Sequence, residues 1–182
     1  NYLYNIADVT CCPSSAEGFG LSHMEAMMAG SPTITTVIGG LQDQMGFKVD
    51  GKDITTDNFT AKVPSNSTGK ISKEHGEWVY PLWPEIGMQG SPQTPYIYDS
   101  RPTIPDIVKG FHHWYDLGRD ESHKRGLVGR QWAINNGFCH KGMGDAALTA
   151  IDTCFETFTP RDKYTLINTK QKPVKYNRGI LV

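Results

Sequence analysis

The sequence predicts an α/β fold whose core is a parallel sheet of few strands. Three observations support this prediction. Between residues 9 and 37, an apolar strand pattern, a glycine turn, a helical pattern and a second strand pattern follow one another. The strand patterns are short apolar runs, which are typical of parallel strands buried on both faces. Residues 105–158 then contain three successive helical patterns.

The overall composition narrows the functional class. The chain has 182 residues, and its 18 basic and 19 acidic side chains give a net charge of −1. This length suits one domain, so we treat residues 1–182 as a single domain. The balanced charge argues against a nucleic-acid partner, and no apolar run reaches the roughly 18 residues that indicate a membrane span.

The cysteines indicate the compartment. Cys11, Cys12, Cys139 and Cys154 favour free thiols in a reducing environment, and their spacing does not suit zinc. We therefore predict no metal site and expect a cytoplasmic protein, either free or peripherally attached to a membrane. Cys11 and Cys12 are adjacent in a strand pattern, so their side chains should point to opposite faces.

The first elements follow from short local patterns. Asn1–Asp8 is interpreted as the end of a helix, with Leu3, Ile6 and Ala7 facing inward. Val9–Cys12 is an apolar run that predicts a fully buried parallel strand.

The next elements surround a glycine turn. Leu21–Ala29 predicts a helix closed by Gly30, and Pro32–Val37 predicts a buried strand. Trp78–Leu82 predicts a further strand.

Two connecting segments are less regular. Residues 46–77 are polar and predict a long surface excursion, with a small hairpin around Asp50-Gly51. Pro84–Arg101 predicts a structured loop, within which Pro95–Tyr98 should pack on the body of the domain.

Three helices should complete the fold. They are predicted at Pro105–Leu117, Asp120–Asn136 and Lys141–Phe158, with Gly118 and Gly137 ending the first two. The tail after Pro160 predicts a strand or an extended arm. The apolar residues assigned to the inward faces are Ile107, Val108, Phe111, Trp114 and Tyr115, then Leu127, Val128 and Trp132, and then Ala147, Leu148, Ile151 and Phe155.

The glycine turn between Glu17 and Glu25 is the candidate ligand site. The N-terminus of the following helix presents unpaired N–H groups and a partial positive charge. Gly18 and Gly20 allow a ligand to approach the backbone, so the amides around Gly20–Ser22 could hold a diphosphate. Glu25 could accept two hydrogen bonds from a ribose diol, and Glu17 could bind hydroxyls of a second sugar.

Each of these residues also has an ordinary structural interpretation. Glu25 could be a solvated helix residue and Glu17 a loop acid, while the glycines could form a plain tight turn. Gly39-Gly40 should lie at the same edge of the sheet, either shaping a sugar pocket or forming another turn. His23, close to the helix start, is better interpreted as a packed or solvent-facing histidine than as a catalytic one.

The motif Pro-Ser-x-x-Glu-Gly-Phe-Gly-Leu…Glu-Ala-Met-x-Ala-Gly-x-Pro, with Glu17 and Glu25 separated by seven residues, resembles a known family. It is similar to the retaining GT-B glycosyltransferases of family 4, also called glycosyl transferases group 1. The resemblance is specific over Tyr2–Met45 and weakens beyond it. It implies a Rossmann-like sheet that forms the C-terminal part of a GT-B donor-binding domain.

The resemblance also implies residue roles. Glu25 would bind the donor ribose, and Glu17, as the catalytic residue, would contact the donor sugar. The amides of Phe19, Gly20 and Leu21, after Gly18, would hold the diphosphate, and Gly39 and Gly40 would border the sugar. The donor would be a UDP-, GDP- or ADP-sugar, the partner an acceptor sugar or other acceptor, and no cofactor would be needed.

The chain also departs from the family pattern. The family's first strands, which carry a Gly-Arg pair and a later Lys, precede the segment that Asn1 begins. We therefore interpret the chain as part of a longer enzyme, inactive alone, with the missing N-terminal part as a partner. The strand Val9–Cys12 should then have an open edge. Either a second copy would cover this edge in a homo-oligomer, or a segment of the same chain would cover it, with residues 46–77 and Tyr164–Val182 as the candidates.

Two other functions remain open at this point. One is a nucleotide-sugar epimerase on the same scaffold. The other is a non-catalytic GT-B-like binding or interaction module.

Overall fold

The computed structural model describes residues 2–94 and 96–160. The chain divides into two compact units after Asp145. In chain order the elements are α1 Tyr2–Ile6, β1 Thr10–Cys12, α2 Leu21–Ala29, β2 Thr33–Thr36, a first 3₁₀ helix Gly39–Gln44, β3 Lys48–Val49, β4 Lys52–Asp53, a second 3₁₀ helix Thr56–Asn58, β5 Val79–Leu82, β6 Glu85–Gln89, β7 Ile97–Arg101, α3 Ile104–Leu117, α4 Arg119–Asn135 and α5 His140–Thr157.

The predicted α/β architecture is confirmed. Three parallel strands form the central sheet in the order β1-β2-β5, with Thr10 opposite Thr33 and Thr33 opposite Val79. All four residues of β2 are buried, as expected of the middle strand of a parallel sheet covered on both faces. The three C-terminal helices are also present.

The core lies on both faces of β2. On one face α2 contributes Met24 and Met27, which pack with Leu41, Met45 and Trp78. On the other face Ile34, Leu82 and Trp114 of α3 form a second cluster.

The two adjacent cysteines separate as predicted. Cys11 packs beside the cluster that contains Trp114, whereas the Cys12 Sγ lies 3.9 Å from the Ser22 Oγ on α2. Cys11, Cys12, Cys139 and Cys154 are all free thiols.

The strand β1 pairs on one side only within residues 2–94 and 96–160. Its partner is β2, and the excursion at 46–77 forms its own small sheet instead of covering β1. The alternative cover, Tyr164–Val182, lies outside the described residues, as does the rest of the tail after Pro160. Pairing of β1 with a second copy stays a prediction.

The hairpin predicted at Asp50-Gly51 is confirmed. Asp50 has φ 52° and Gly51 has φ 74°, the left-handed geometry that a two-residue hairpin turn requires. The excursion is not wholly on the surface, however. Phe47 belongs to the core, and the buried Asn66 accepts hydrogen bonds from the Ile71 and Ser72 amides.

The segment 84–101 is an antiparallel ribbon instead of a packed loop. β6 pairs with β7 along its whole length, with Met88 opposite Tyr98. The prediction that Pro95–Tyr98 packs on the body is wrong for the described residues, since Tyr96 and Tyr98 are each 75% exposed. Pro95 lies outside the description. A ribbon satisfies its own backbone hydrogen bonds, so it can extend into solvent without such packing.

The inward face predicted for α4 is confirmed only in part. Trp132 packs against the core cluster that contains Trp78, but the prediction is wrong for Leu127 and Val128. Leu127 and Val128 are 43% and 39% exposed, while the buried residues are Ser122, Gly126, Gly129 and Ala133. The reason is a close approach to the end of α2. A Cβ on Gly126 would overlap the Gly30 carbonyl oxygen and lie 3.0 Å from the Pro32 nitrogen, and one on Gly129 would meet the Trp78 side chain.

Other apolar residues assigned to inward faces are exposed. On α1, Leu3 and Ile6 are exposed. Among the described residues no packing partner buries them, because this helix has only five residues. On α3 only Trp114 among the predicted residues is fully buried, since contact with the sheet is limited to one narrow stripe. α5 has no buried residue among those described. The exposed members of the predicted faces on α3 and α5 are Val108, Phe111, Tyr115, Ala147, Leu148, Ile151 and Phe155.

The described helices include none that is long and apolar enough to cross a bilayer.

We expect Gly126→Ala to lower the free energy of unfolding by about 1–3 kcal/mol, since backbone atoms of α2 and the following turn cannot move aside as a flexible side chain can. Urea unfolding followed by circular dichroism measures the change. Gly144→Ala in α5 is the matched control, because a Cβ there meets nothing within 4 Å and should be neutral or stabilising. Equal effects at the two glycines would contradict the close approach.

Candidate functional site

The glycine turn lies at the carboxyl edge of the sheet, between β1 and α2. Gly20 is the N-cap of α2 and has φ 89°, a left-handed conformation that favours glycine. No side chain caps this helix end. The first N–H groups of α2 are therefore available for an external acceptor, which makes the turn suitable for an anion.

Gly39 and Gly40 pack directly against this turn. The Gly40 N–H donates to the Glu17 carbonyl oxygen over 3.3 Å. A Cβ on Gly40 would lie 2.8 Å from the Phe19 Cα, and one on Gly39 would overlap the Glu17 carbonyl. The two glycines thus bring the first 3₁₀ helix into backbone contact with residues 17–19, which is more than an isolated tight turn would do.

A buried hydrogen-bond network fixes the turn from the inside. His23 is fully buried, with Nδ1 3.0 Å from the Gln44 Oε1 and Nε2 2.9 Å from the Thr33 Oγ1. The Gln44 side-chain amide donates to the Phe19 carbonyl. Because that amide oxygen faces His23, Nδ1 carries the proton and Nε2 accepts from Thr33. His23 is thus a packed residue, and it orients the Phe19 peptide.

Burial also determines the protonation state of His23. Desolvation lowers the pKa of His23 to about 4, and the hydrogen bond to Gln44 opposes this shift only in part. The imidazole is therefore neutral near pH 7, as its two hydrogen bonds require.

Glu25 lies on the exposed face of α2, one turn after the helix start. The Tyr4 hydroxyl hydrogen-bonds to it, and this bond is the main reason that the pKa of Tyr4 is raised. Glu25 lines a cleft of about 500 Å³ together with Tyr4 of α1, Met28 and Arg130 of α4. A carboxylate in an open cleft can accept hydrogen bonds from a diol.

Glu17 is half-buried at the start of the turn, on the side of the Cys12 thiol. Burial raises the pKa of Cys12, the Ser22 hydroxyl opposes this, and the charge of Glu17 raises it further. Cys12 also interacts electrostatically with Tyr4, the partner of Glu25. Cys12 therefore lies near both Glu17 and Tyr4, and Tyr4 in turn contacts Glu25.

The remaining site residues lie on the outer surface of the turn. Gly18, Phe19 and Leu21 are exposed, and the Phe19 ring also contacts Phe138, with ring centroids 6.1 Å apart.

Three residues that sequence reasoning missed contribute to the site: Tyr4, Gln44 and Arg130. The nearest signal for Tyr4 was its position just before β1. Gln44 and Arg130 reach the site through the 3₁₀ helix and α4, so their spacing along the chain gives no signal.

Residues 1–58 match a glycosyltransferase family. The matching family model is described as glycosyl transferases group 1. It covers the glycine turn, both glutamates and Gly39-Gly40, and it ends within the excursion. The match therefore applies to the site segment and leaves the ribbon and the last three helices outside it.

Individual relatives agree with this match. A D-inositol 3-phosphate glycosyltransferase from Corynebacterium urealyticum is 45% identical over 56 residues, which cover 28% of this chain and 13% of that protein. An uncharacterized glycosyltransferase from Methanocaldococcus jannaschii is 43% identical over 49 residues, covering 27% and 13% respectively. A D-inositol 3-phosphate glycosyltransferase from Kribbella flavida is 31% identical over 87 residues, covering 41% and 20%. The chain thus spans only a small part of each of these relatives.

The neutral state of His23 makes a pH dependence of stability testable. The pKa of His23 is about 4 in the folded protein and about 6.5 for an ordinary histidine, so the unfolded chain takes up the proton first as pH falls. The contribution of neutral His23 to the free energy of unfolding is therefore fully present above pH 6.5 and is lost as the pH falls to 4. The expected loss is about 3 kcal/mol, at 1.36 kcal/mol per pKa unit. Urea unfolding at several pH values measures this.

His23→Gln should flatten that dependence, because glutamine offers a donor and an acceptor but does not titrate. The exposed His112 provides the matched control, and His112→Gln should keep the wild-type slope. An unchanged slope in His23→Gln would show that other groups cause the acid destabilisation.

Proposed function

We propose that this chain supplies the donor-binding part of a retaining glycosyltransferase that uses a nucleoside diphosphate sugar. The main supporting observation is the uncapped N-terminus of α2, which opens at the left-handed Gly20 between Glu17 and Glu25. It lies at the carboxyl edge of a parallel sheet, where ligands bind in folds of this kind. The family match over residues 1–58 supports the transferase class.

In this proposal the turn binds the diphosphate. The amides of Phe19, Gly20 and Leu21 would donate hydrogen bonds to phosphate oxygens. These bonds would strengthen as negative charge develops on the leaving nucleoside diphosphate, so they would lower the barrier to transfer. The Gln44–Phe19 hydrogen bond and the Gly39-Gly40 contact would keep the donors in position without reorganisation during the reaction.

The two acids would bind the two ends of the donor. Glu25, in the cleft with Tyr4, would accept hydrogen bonds from the ribose hydroxyls. Glu17, on the other side of the turn, would contact the donor sugar, with Gly39 and Gly40 packed against its backbone. The acceptor would be a sugar or another hydroxyl compound. The inositol phosphate named for several relatives is a property of those proteins.

Nucleotide binding tests the donor site directly. We expect the chain to bind at least one of UDP, GDP and ADP in isothermal titration calorimetry. Glu25→Ala should weaken that binding about tenfold or more, because it removes charge-assisted hydrogen bonds to the ribose. Glu156→Ala, which removes an equally exposed helical glutamate on α5, should leave binding unchanged.

The alternatives predict different results. Absence of nucleotide binding together with a stable oligomer would favour a non-catalytic interaction module. Binding of a nucleotide sugar followed by conversion to its epimer, with no transfer in the presence of the remaining part of the enzyme, would favour an epimerase.

The roles of Glu17 and Glu25 can be distinguished by comparing two ligands, a nucleoside diphosphate and the corresponding nucleotide sugar. We expect Glu17→Gln to leave binding of the nucleoside diphosphate unchanged and to weaken binding of the corresponding nucleotide sugar, because only the sugar would reach residue 17. Competition titrations with both ligands measure the ratio of the two affinities. Equal weakening for both ligands would place Glu17 at the phosphates and would contradict its proposed contact with the sugar.

A further inference from the structure

We propose that a second pocket, beside the donor site, binds a neutral carbohydrate. Its volume is about 450 Å³, within the usual range for small-molecule sites. It is lined by residues of the first 3₁₀ helix, of segment 53–66 and of the end of α4. It shares no lining residue with the donor site described above.

One wall of the pocket is aromatic. Trp132 and Phe138 stack with ring centroids 5.8 Å apart and an interplanar angle of 22°, and Phe47 and Phe59 also line the space. Phe59, Trp132 and Phe138 are only partly buried and line the pocket, and Trp132 also packs against Trp78, with ring centroids 5.1 Å apart. A flat aromatic surface with a negative π-face suits the C–H face of a pyranose ring.

The other wall provides polar groups of both kinds. Asp43 and Asp53 are exposed carboxylates that can accept hydrogen bonds from hydroxyls, and Thr55 and Thr56 provide hydroxyls that can also donate. Desolvation raises the pKa of Asp43, although the residue remains accessible to a ligand. A sugar hydroxyl is donor and acceptor at once, so it can use both kinds of partner.

The polar wall is held rigidly. Asn66 is 1% exposed, and its side chain accepts from the Ile71 and Ser72 amides and donates to the Ser72 carbonyl. The Asn66 backbone N–H donates to the Gln42 side-chain oxygen over 2.9 Å, and this bond connects the loop to the first 3₁₀ helix. A rigid wall reduces the entropy that ligand binding must offset.

The lining discriminates between ligand classes. Among the residues that the structure describes, it contains no lysine, arginine or histidine, which disfavours a phosphate or another anion. Two carboxylates and aromatic rings would also suit an organic cation. However, a cation accepts no hydrogen bonds, so it could not use the Thr56 hydroxyl as a donor. A neutral sugar matches the whole lining better.

The position of the pocket suggests its use, and this step rests on the proposed function. Gly39 and Gly40, at one end of the first 3₁₀ helix, contact the donor turn, while Gln42 and Asp43, further along it, line the pocket. A glycan bound here would be an acceptor chain held close to the donor sugar. Carbohydrate binding itself can be tested without that role.

The test is a titration of the 182-residue chain with methyl α-glucopyranoside, methyl α-mannopyranoside and maltotriose. Binding is followed by tryptophan fluorescence and by saturation-transfer NMR. We expect saturable binding of at least one of these sugars, weakened about fivefold to tenfold by Phe59→Ala and by Asp53→Asn. The controls Tyr115→Ala and Asp57→Asn alter an exposed aromatic residue and an exposed acid that do not line the pocket, so they should bind as the wild type does.

Three results would overturn the proposal. The first is no binding of any of these sugars. The second is a saturable response to tetramethylammonium chloride that Asp53→Asn abolishes, which would assign the pocket to cations. The third is sugar binding that Glu17→Gln abolishes and Asp53→Asn leaves intact, which would place the sugar in the donor site. Asp53 is exposed on a two-residue strand, so Asp53→Asn remains informative if Phe59→Ala does not fold. UDP, GDP and ADP titrations, which test the donor site, give an independent result.

Discussion

The shape of the glycine turn depends on one buried histidine. His23 joins β2 to the first 3₁₀ helix through Thr33 and Gln44, and Gln44 then holds the Phe19 carbonyl. Only a neutral imidazole can donate to Gln44 and accept from Thr33 at the same time. A protonated ring would carry two donors, and it would bring a charge into a site without solvent. Through Gln44, this core histidine therefore orients the Phe19 peptide bond.

The central layers could be predicted from sequence because their signals are local. The strands β1, β2 and β5 and the helix α2 with its closing Gly30 all follow from short apolar runs and glycine positions. The buried face of α4 could not be predicted in this way, because hydrophobic spacing selects Leu127 and Val128. That face is determined by the short distance to the Gly30 backbone and to Trp78, which leaves room only for residues without a Cβ, such as Gly126 and Gly129. Such a distance exists only after the fold has formed.

The same distinction between local sequence signals and tertiary contacts applies to the candidate site. One turn and the start of one helix contain Glu17, the glycines of the turn and Glu25. Their proximity in space could therefore be predicted from their proximity in sequence. Tyr4, Gln44 and Arg130 come from three other elements and meet the site through tertiary contacts. A glutamine or an arginine at those distances has no local pattern that would distinguish it from an ordinary surface residue. Sequence therefore predicts the residues of the turn itself better than the residues that support or surround it.

Electrostatics limits what the turn could do by itself in the proposed function. A helix N-terminus contributes about half a positive charge, and this effect fades within the first turn. Glu17 and Glu25 place two carboxylates beside it, and a diphosphate would add further negative charge. The amides can therefore position the diphosphate, but they cannot neutralise it. The proposed function would therefore require a cation in addition to the turn. Arg130 of α4 lies in the cleft with Glu25, at the end of the site proposed for the ribose, so the turn itself has no cation among its described neighbours in that cleft.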